Sequence, residues 1–299
     1  MKKSVISAAA SYVPDKLEVF LRSAYDAMPD TEVHLIVTPE ATAFEHTLKG
    51  FNPNTRLWLS NQRDHLLNKL ERLTGIPITT KLPGINRAAL TTTHGRERLA
   101  RVTHAKFARY FLAQNIIEAT APSHVLLADS RDILFQRDPF PNGDIGILCG
   151  DEGLPLKSCN WIYKRLSRFY DAKTIQQIEN RPNINSGATL GDTNSILEYL
   201  RAMSLEVFDR MLGSGERGGD QAIHNRLLHS GLATKVSLEA PGGETMAHFD
   251  IAKPSSYRFN SRNELTNLDS DTPIAIVHQY DRYPELQQWV DTRYPSTLR

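Results

Sequence analysis

Hydrophobic and polar residues alternate along the first 60 positions in blocks that predict strand, helix and strand. Val5 to Ala10 is a short apolar run with a β-branched start, which predicts a buried strand. Apolar residues at helical spacing predict a helix from Lys16, and Pro29 ends it. Glu32 to Thr38 (EVHLIVT) predicts a second strand. This order indicates a βαβ unit, and such units build parallel sheets.

The rest of the chain continues this mixed pattern. Apolar residues at helical spacing predict a long helix from about Gly95 to Ala119, and His124 to Ala128 (HVLLA) is the most strand-like segment. In Asn183 to Leu190, polar residues predict a turn that opens a strand. Residues 254–272 are polar and predict an irregular segment. Further strands are predicted at 56–59, 144–149, 235–238 and 274–278, and further helices at 66–73, 163–170, 174–179, 195–208 and 220–229.

Composition narrows the class of protein. The chain has 299 residues, which suits one large α/β domain or two closely fused lobes. Apolar residues make up 40% and charged residues 23%, as in ordinary globular proteins. The formal net charge is +1, so the charge balance gives no reason to expect nucleic acid or a membrane as partner.

Cysteine usage and the N-terminus bear on the compartment. Cys149 and Cys159 are the only cysteines, too few for a disulfide framework, which predicts reduced thiols in a cytoplasmic protein. Residues 1–10 resemble a signal peptide faintly, but the apolar stretch is short and interrupted by serine, so we interpret it as the first buried strand. No run approaches the roughly 18 apolar residues of a membrane helix. We therefore expect no transmembrane segment, while peripheral membrane contact stays open.

Two aspartates follow the most apolar strand. Because VLLA implies burial on both faces, Asp129 and Asp132, with Arg131 between them, should emerge at the rim of the sheet, where open α/β sheets bind ligands. Two carboxylates so close repel unless a cation lies between them. Mg²⁺ and Mn²⁺ are often shared between carboxylates and substrate phosphates, and such a metal stabilises a leaving diphosphate. The pattern therefore favours a site for a metal and a diphosphate.

The same residues also have a purely structural interpretation. Asp and Ser are good turn residues, and Arg131 would then only pair with a neighbouring carboxylate. Asp220 would only cap a helix, and His224, His229 and His248 would be structural or exposed. The residues alone leave both interpretations open.

Four further segments give the chain a family resemblance. Lys106 to Tyr110 (KFARY), Asn185-Ser186-Gly187, Asp220-Gln221 and Ile274 to His278 (IAIVH) follow one another along the chain. Together with the aspartates they resemble, in order, the landmarks of the metal-dependent retaining glycosyltransferases of the glycogenin and bacterial lipopolysaccharide galactosyltransferase type.

This resemblance implies a fold and an activity. It implies one GT-A domain over residues 1–299, a mixed central sheet flanked by helices, with a nucleotide-binding half of about 1–150 and an acceptor half of about 151–299. It implies a hexosyltransferase or related enzyme that moves a sugar from a nucleoside-diphosphate sugar to a hydroxyl of a glycan such as a bacterial surface glycan, with Mn²⁺ or Mg²⁺ and with retention of configuration. Nucleic acid is not an expected partner.

The resemblance also implies roles for residues. Those expected to hold the metal are Asp129, Asp132 and His278. Those expected to act on the donor and the transferred sugar are Asp129, Asp132, Asn185, Asp220 and Gln221. Those expected to contact the nucleotide are Ala8, Ala9, Ser11, Arg109, Arg131, Ser186 and Gly187.

The sequence departs from the family pattern in two places. The family motif is Asp-any-Asp, whereas here Asp129 and Asp132 are three apart with Arg131 inserted. An arginine can neutralise phosphate by itself through bidentate bonds, so metal use stays open. The Gly and the Lys-Pro-Trp that follow the family's histidine are absent, and Gln279 and Tyr280 follow here, so the mode of diphosphate binding stays open too.

Two other classes compete with a glycosyltransferase. A phosphatase of the haloacid dehalogenase type also places an aspartate after an apolar strand, but its second aspartate would fall at Arg131. A GT-A-like module without catalysis, which binds a glycan or a partner, would have the same strands and helices.

Overall fold

The structure is a computed structural model that describes residues 1–9, 13–60, 85–211, 219–249 and 254–298. The strands in these ranges are β1 (Lys3–Ala8), β2 (Glu32–Val37), β3 (Thr55–Leu59), β4 (His124–Ala128), β5 (Ile133–Phe135), β6 (Ile147–Pro155), β7 (Pro182–Asp192), β8 (Val236–Glu239), β9 (Met246–His248), β10 (Tyr257–Phe259), β11 (Leu265–Asn267) and β12 (Ile276–His278). The α-helices there are α1 (Glu18–Ala27), α2 (Glu45–Phe51), α3 (Thr93–Val102), α4 (Ala105–Thr120), α5 (Asn160–Phe169), α6 (Ala172–Ile178), α7 (Thr193–Met211), α8 (Gly219–Ser230) and α9 (Pro284–Arg293).

Seven strands form a mixed central sheet in the order β3-β2-β1-β4-β7-β6-β8. The first four strands in that order are parallel, β7 is antiparallel to both β4 and β6, and β8 is parallel to β6. Strands β4 and β6 therefore point the same way, and their carboxyl ends lie at the same edge of the sheet. The predicted α/β class with a mixed sheet flanked by helices is confirmed.

Alternating side chains of the central sheet enter two cores. On β1, Val5 and Ile6 lie on opposite faces: Ile6 packs with residues of α4 and α7 such as Phe111 and Tyr199, and Val5 packs with residues of α1 such as Phe20. Burial on both faces favours the apolar residues of β4, whereas β1 also buries the polar residues Ser4 and Ser7.

A second sheet places β12, late in the chain, beside the loop that follows β4 of the central sheet. Its order is β5-β12-β9, with β12 antiparallel to β5 and parallel to β9. Strand β5 begins directly after Asp132, and His278 is the last residue of β12, paired with Ile133. This pairing holds the loop after β4 beside the end of β12.

Three predicted elements were wrong in shape. The helix expected from Gly95 to Ala119 is two helices, because Thr103 is extended and His104 caps α4 by accepting a bond from Lys106 N at 3.3 Å. The strand expected at 144–149 starts only at Ile147 and runs to Pro155, because Gly146 has a φ of +69°.

In the third case, 183–190 contains no turn: it lies within the continuous strand β7, which pairs with β4 on one side and β6 on the other. The irregular segment at 254–272 also contains the β10–β11 hairpin. The helix predicted at 66–73 lies outside the described residues. Among the described helices, none is long and apolar enough to cross a membrane.

Candidate active site

The site lies at the edge of the central sheet where β4 ends. Backbone bonds fix the loop there: Asp129 N donates to Gly187 O at 2.8 Å, and Gln279 N donates to Asp132 O at 2.7 Å. The first bond ties the loop to β7 and the second ties it to the end of β12. The loop after β4 is therefore held on both sides by strands distant in sequence.

Asp129, Asp132 and His278 converge at this edge. One ligand atom from each lies within 4.8 Å of the other two, and His278 Nε2 is 3.5 Å from Asp132 Oδ1. The side chains of Asp132 and His278 are 9% and 3% exposed, whereas that of Asp129 is 42% exposed. The cluster is thus buried on one side and open at Asp129.

Asp132 and His278 each stabilise the charged form of the other. Burial alone would raise the pKa of the Asp132 carboxyl, but its hydrogen bond and charge interaction with His278, together with Arg131, bring that pKa to about 2. Burial alone would lower the pKa of His278, but Asp132 outweighs it and raises that pKa above 6.5. Asp132 is therefore a carboxylate at all physiological pH values.

Arg131 lies at the rim of this cluster. Its Nη2 donates to Asp132 Oδ2 at 3.0 Å and lies 3.2 Å from Asp281 Oδ2, and its side chain is 43% exposed. A guanidinium in this position pairs with two carboxylates, those of Asp132 and Asp281. It also offers positive charge at the mouth of the site.

Arg109 connects two of the predicted landmarks. From α4 its Nη1 donates to Asp129 Oδ1 at 2.7 Å, and its Nη2 donates to Asp220 Oδ2 at 3.2 Å and to Tyr110 Oη at 3.0 Å. Burial would lower the pKa of Arg109, but Tyr110, Asp129 and Asp220 together raise it well above its usual value. The sequence resemblance singled out these residues separately, and the fold joins them in one ion-pair network.

A buried carboxylate holds the amide side chains of the site. Asn185 Nδ2 donates to Glu152 Oε1 at 2.7 Å, Gln221 Nε2 donates to the same oxygen at 3.3 Å, and Asn183 donates to Glu152 Oε2. Sequence reasoning missed Glu152. A usable signal was present, because Glu152 closely follows the apolar run at 147–149, just as Asp129 follows β4.

Gly187 makes room for His278. A Cβ at Gly187 would lie 2.2 Å from His278 Cε1 and 2.6 Å from His278 Nε2. Gly187 N also donates to Asn185 Oδ1 at 2.7 Å, which connects it to the amide cluster, the side-chain amides held by Glu152. The imidazole therefore packs directly on the backbone of β7, which a side chain at 187 would prevent.

His248 lies beside the cluster of Asp129, Asp132 and His278. It was expected to be structural or exposed; it is buried, at 5% exposed, and its Nδ1 lies 2.9 Å from Nδ1 of His278. Burial and the neighbouring His278 lower the pKa of His248 well below 6.5, so it is neutral. Its Nε2 has no hydrogen-bond partner within the described ranges.

The residues predicted to contact the nucleotide are placed unevenly. Ala8 and Ser186 line a pocket together with Arg109 and Tyr110. Ala9 is fully buried and its backbone N donates to Ile36 O at 2.8 Å. Ser11 lies outside the described residues.

Known proteins resemble this chain in structure. No protein-family profile matches the chain, and no curated sequence matches it. Among solved structures, the galactosyltransferase LgtC in complex with donor and acceptor sugar analogues is similar with a TM-score of 0.54 at 14% identity, over 98% of this chain and 97% of LgtC. An active-site variant of LgtC, with glutamate in place of a glutamine, is similar with a TM-score of 0.54 at 13% identity and the same coverage.

These structural matches extend over nearly the whole of both chains, and they confirm the predicted GT-A fold. At 14% and 13% sequence identity, these matches establish the fold alone.

Proposed function

We propose that this chain is a glycosyltransferase that moves a sugar from a nucleoside-diphosphate sugar to an acceptor hydroxyl. The observation that carries the proposal is the convergence of Asp129, Asp132 and His278 at the carboxyl end of β4 in a GT-A fold. Open α/β sheets bind their ligands at this edge. The GT-A neighbour LgtC, solved with sugar analogues, supports the class of substrate.

The donor set of the cluster fits a divalent cation. Two carboxylates and one imidazole offer hard oxygen ligands and one nitrogen, a set that suits Mn²⁺ better than Mg²⁺. Asp129, Asp132 and His278 would hold the ion. When bound, the ion would neutralise charge on the diphosphate and favour its departure.

The protein's own groups would orient the donor. Arg131, exposed at the rim, supplies positive charge for the diphosphate. Arg109 fixes Asp129 and Asp220 in one geometry before any ligand arrives, which lowers the cost of organising the site. Groups that are already in place stabilise developing charge without reorganisation.

The transferred sugar would lie beside the amide cluster. Asn185 and Gln221 are held by Glu152, so each offers its remaining polar atoms in a fixed direction. We propose that these amides and Asp220 contact the sugar hydroxyls, that the anomeric configuration is retained, and that the acceptor is a glycan such as a bacterial surface glycan.

A donor panel tests the proposal. The protein is incubated with UDP-, GDP- and ADP-sugars and Mn²⁺, and the released nucleoside diphosphate is measured with and without EDTA. We expect release from one class of donor, and its loss in EDTA. Absence of both turnover and nucleotide binding across the panel would contradict the proposal. Full activity in EDTA would instead assign charge neutralisation to Arg131.

The stereochemical part has its own measurement. Proton NMR of the first product formed gives the anomeric coupling constant before mutarotation. A product with the anomeric configuration of the donor supports retention, and inversion contradicts it.

A further inference from the structure

Two buried imidazoles meet where the two sheets join. His248 and His278 are register partners on the parallel strands β9 and β12, and their rings are perpendicular, at an interplanar angle of 88°. Their Nδ1 atoms are 2.9 Å apart, a hydrogen-bond distance. A bond between two ring nitrogens contains one proton, so one ring donates and the other accepts.

The fold has cleared space for this contact. A Cβ at Gly150 on β6 would lie 2.1 Å from His248 Nε2, and a Cβ at Gly187 on β7 would lie 2.2 Å from His278 Cε1. Two glycines on neighbouring strands therefore let two imidazoles lie against the central sheet. The pair is enclosed, since His248 and His278 are 5% and 2% exposed.

The direction of the bond decides what His278 offers to the cluster. If His278 donates from Nδ1, a neutral His278 has an electron pair on Nε2, the atom 3.5 Å from Asp132 Oδ1. If His248 donates, the proton of a neutral His278 is on Nε2 and points at Asp132. Only the first arrangement lets Nε2 bind a cation.

We propose that His248 is a positioning residue whose Nδ1 accepts the Nδ1 proton of His278 and so keeps Nε2 of His278 available as a cation ligand. This inference rests on the proposed metal site. In proteins, histidine ligands almost always donate their other N–H to a carboxylate, carbonyl or water, which fixes the tautomer and the ring orientation. Here the imidazole of His248 has that place, with its Nδ1 2.9 Å from Nδ1 of His278.

A matched pair of substitutions separates hydrogen bonding from packing. Leu and Asn have nearly the same shape, but only Asn places an acceptor near the position of His248 Nδ1. We expect His248→Leu to weaken Mn²⁺ binding about tenfold, the low end of what loss of such a partner costs. We expect His248→Asn to stay within about threefold of the wild type. His34→Leu removes a buried imidazole that contacts Ser4 and Trp58 instead, and should leave Mn²⁺ binding unchanged.

Two readouts without turnover decide the matter. Electron paramagnetic resonance of free Mn²⁺ gives the affinity of each folded variant, with folding checked by circular dichroism. Two-bond ¹⁵N–¹H spectra of the metal-free protein, recorded at a pH high enough to leave His278 neutral, show which nitrogen of His278 carries the proton, and we expect Nδ1 in the wild type and Nε2 in His248→Leu.

The outcomes distinguish this inference from the proposed function. Equal Mn²⁺ affinity in the wild type and His248→Leu would overturn the role of His248 while the metal site stands. If His248→Asn binds as weakly as His248→Leu, the accepting role is also overturned. If the wild type binds no Mn²⁺, the metal site and this inference fall together, whereas a glycosyltransferase that uses Arg131 would still turn over donor in EDTA.

Discussion

Asp132 is the more buried of the two aspartates in the cluster with His278. His278 and Arg131 hold its carboxylate, and its pKa lies at about 2 as a result. A group with a pKa lowered by folding stabilises the fold above its unfolded value of 3.8 and loses that contribution as pH falls to about 2. At neutral pH Asp132 is therefore a carboxylate, paired with Arg131 and His278.

We predict that Asp132→Asn removes cation binding and lowers donor turnover by a factor of 100 or more, because loss of one charged ligand costs about 3 kcal/mol or more at such a site. Isothermal titration with Mn²⁺ and the donor release assay measure the two effects. Asp281→Asn is the matched control, since Asp281 also pairs with Arg131 but lies outside the cluster. Wild-type turnover in folded Asp132→Asn would contradict the assignment.

Glu152 is a buried carboxylate that holds three amide side chains of the site by hydrogen bonds. Each of its oxygens accepts hydrogen bonds from amide side chains, those of Asn183, Asn185 and Gln221. A glutamine in its place would offer one acceptor fewer and turn an NH₂ group toward these donors.

We predict that Glu152→Gln lowers the free energy of unfolding by about 1–3 kcal/mol, the cost of a buried polar group left unsatisfied. Donor turnover should fall while Mn²⁺ affinity stays near the wild-type value, because Glu152 bonds the amides and not the cation cluster. Urea denaturation and Mn²⁺ titration measure both quantities. A parallel loss of Mn²⁺ affinity would show that the cluster of Asp129, Asp132 and His278 depends on the amides that Glu152 holds.

At the scale of elements, β7 shapes the site through the absence of a side chain. Gly187 lies within β7, and His278 from β12 packs on its Cα. Gly187 of β7 therefore helps to position His278, a residue 91 places later in the chain.

We predict that Gly187→Ala displaces the His278 ring and weakens Mn²⁺ binding at least tenfold, because its Cβ would lie 2.2 Å from a ring atom. Gly50→Ala is the control: no atom lies within 4 Å of a Cβ there, and alanine favours the helix by about 1 kcal/mol. Mn²⁺ titration and thermal melting test both. Unchanged Mn²⁺ affinity in Gly187→Ala would show that the ring needs no such space.

Glu18 of helix α1 holds Ser296 and Thr297, near the C-terminus, by hydrogen bonds. Glu18 accepts bonds from Thr297 N at 2.8 Å, Thr297 Oγ1 at 2.7 Å and Ser296 Oγ at 3.0 Å, and Arg22 Nη1 lies 3.0 Å away. Burial would raise the pKa of Glu18, but these bonds outweigh it and lower that pKa below 4.5.

The lowered pKa fixes the sign of the pH effect. Glu18 contributes its stability above pH 4.5 and loses it as pH falls through the lower value in the folded state. We predict that Glu18→Gln is less stable than the wild type by about 1 kcal/mol at pH 6, and that the difference disappears on acidification. Urea denaturation at several pH values measures it. Glu45→Gln, which breaks an exposed pair with Lys49, should show no such trend. A difference that persists at low pH would contradict this role of Glu18.

At the scale of the whole molecule, the two halves of the chain contribute strands to the same two sheets. Strand β4 of the first half pairs with β7 of the second, and β5 pairs with β12. Because neither half completes its sheets alone, we keep the prediction of a single domain over residues 1–299.

We predict one cooperative unfolding transition, which circular dichroism and tryptophan fluorescence should report with the same midpoint. Trp58 lies in the first half and Trp161 and Trp289 in the second, so fluorescence reports on both. A nucleoside diphosphate with Mn²⁺ should raise the midpoint of the whole transition. The free energy of unfolding should rise by about 2.7 kcal/mol at a ligand concentration of 100 Kd. Two separate transitions, with only one moved by the ligand, would favour two fused lobes instead.

Much of this architecture follows from the sequence alone. Apolar runs at β1, β2 and β4 predict buried parallel strands because burial on both faces favours apolar residues, and the few polar residues there, such as Ser4, Ser7 and His34, are buried with them. The aspartates after β4 are predictable for the same reason, since the first polar residues after a buried strand emerge at the edge of the sheet.

Only the tertiary structure decided the rest. A turn-like Asn-Ser-Gly became the middle of β7, because two neighbouring strands supply pairing that outweighs local preference. His248 entered the site because β9 pairs with β12, and Glu152 because β6 runs parallel to β4. Contacts between residues distant in sequence leave no periodic trace in it, so composition and spacing place strands and strand ends but not the partners that meet there.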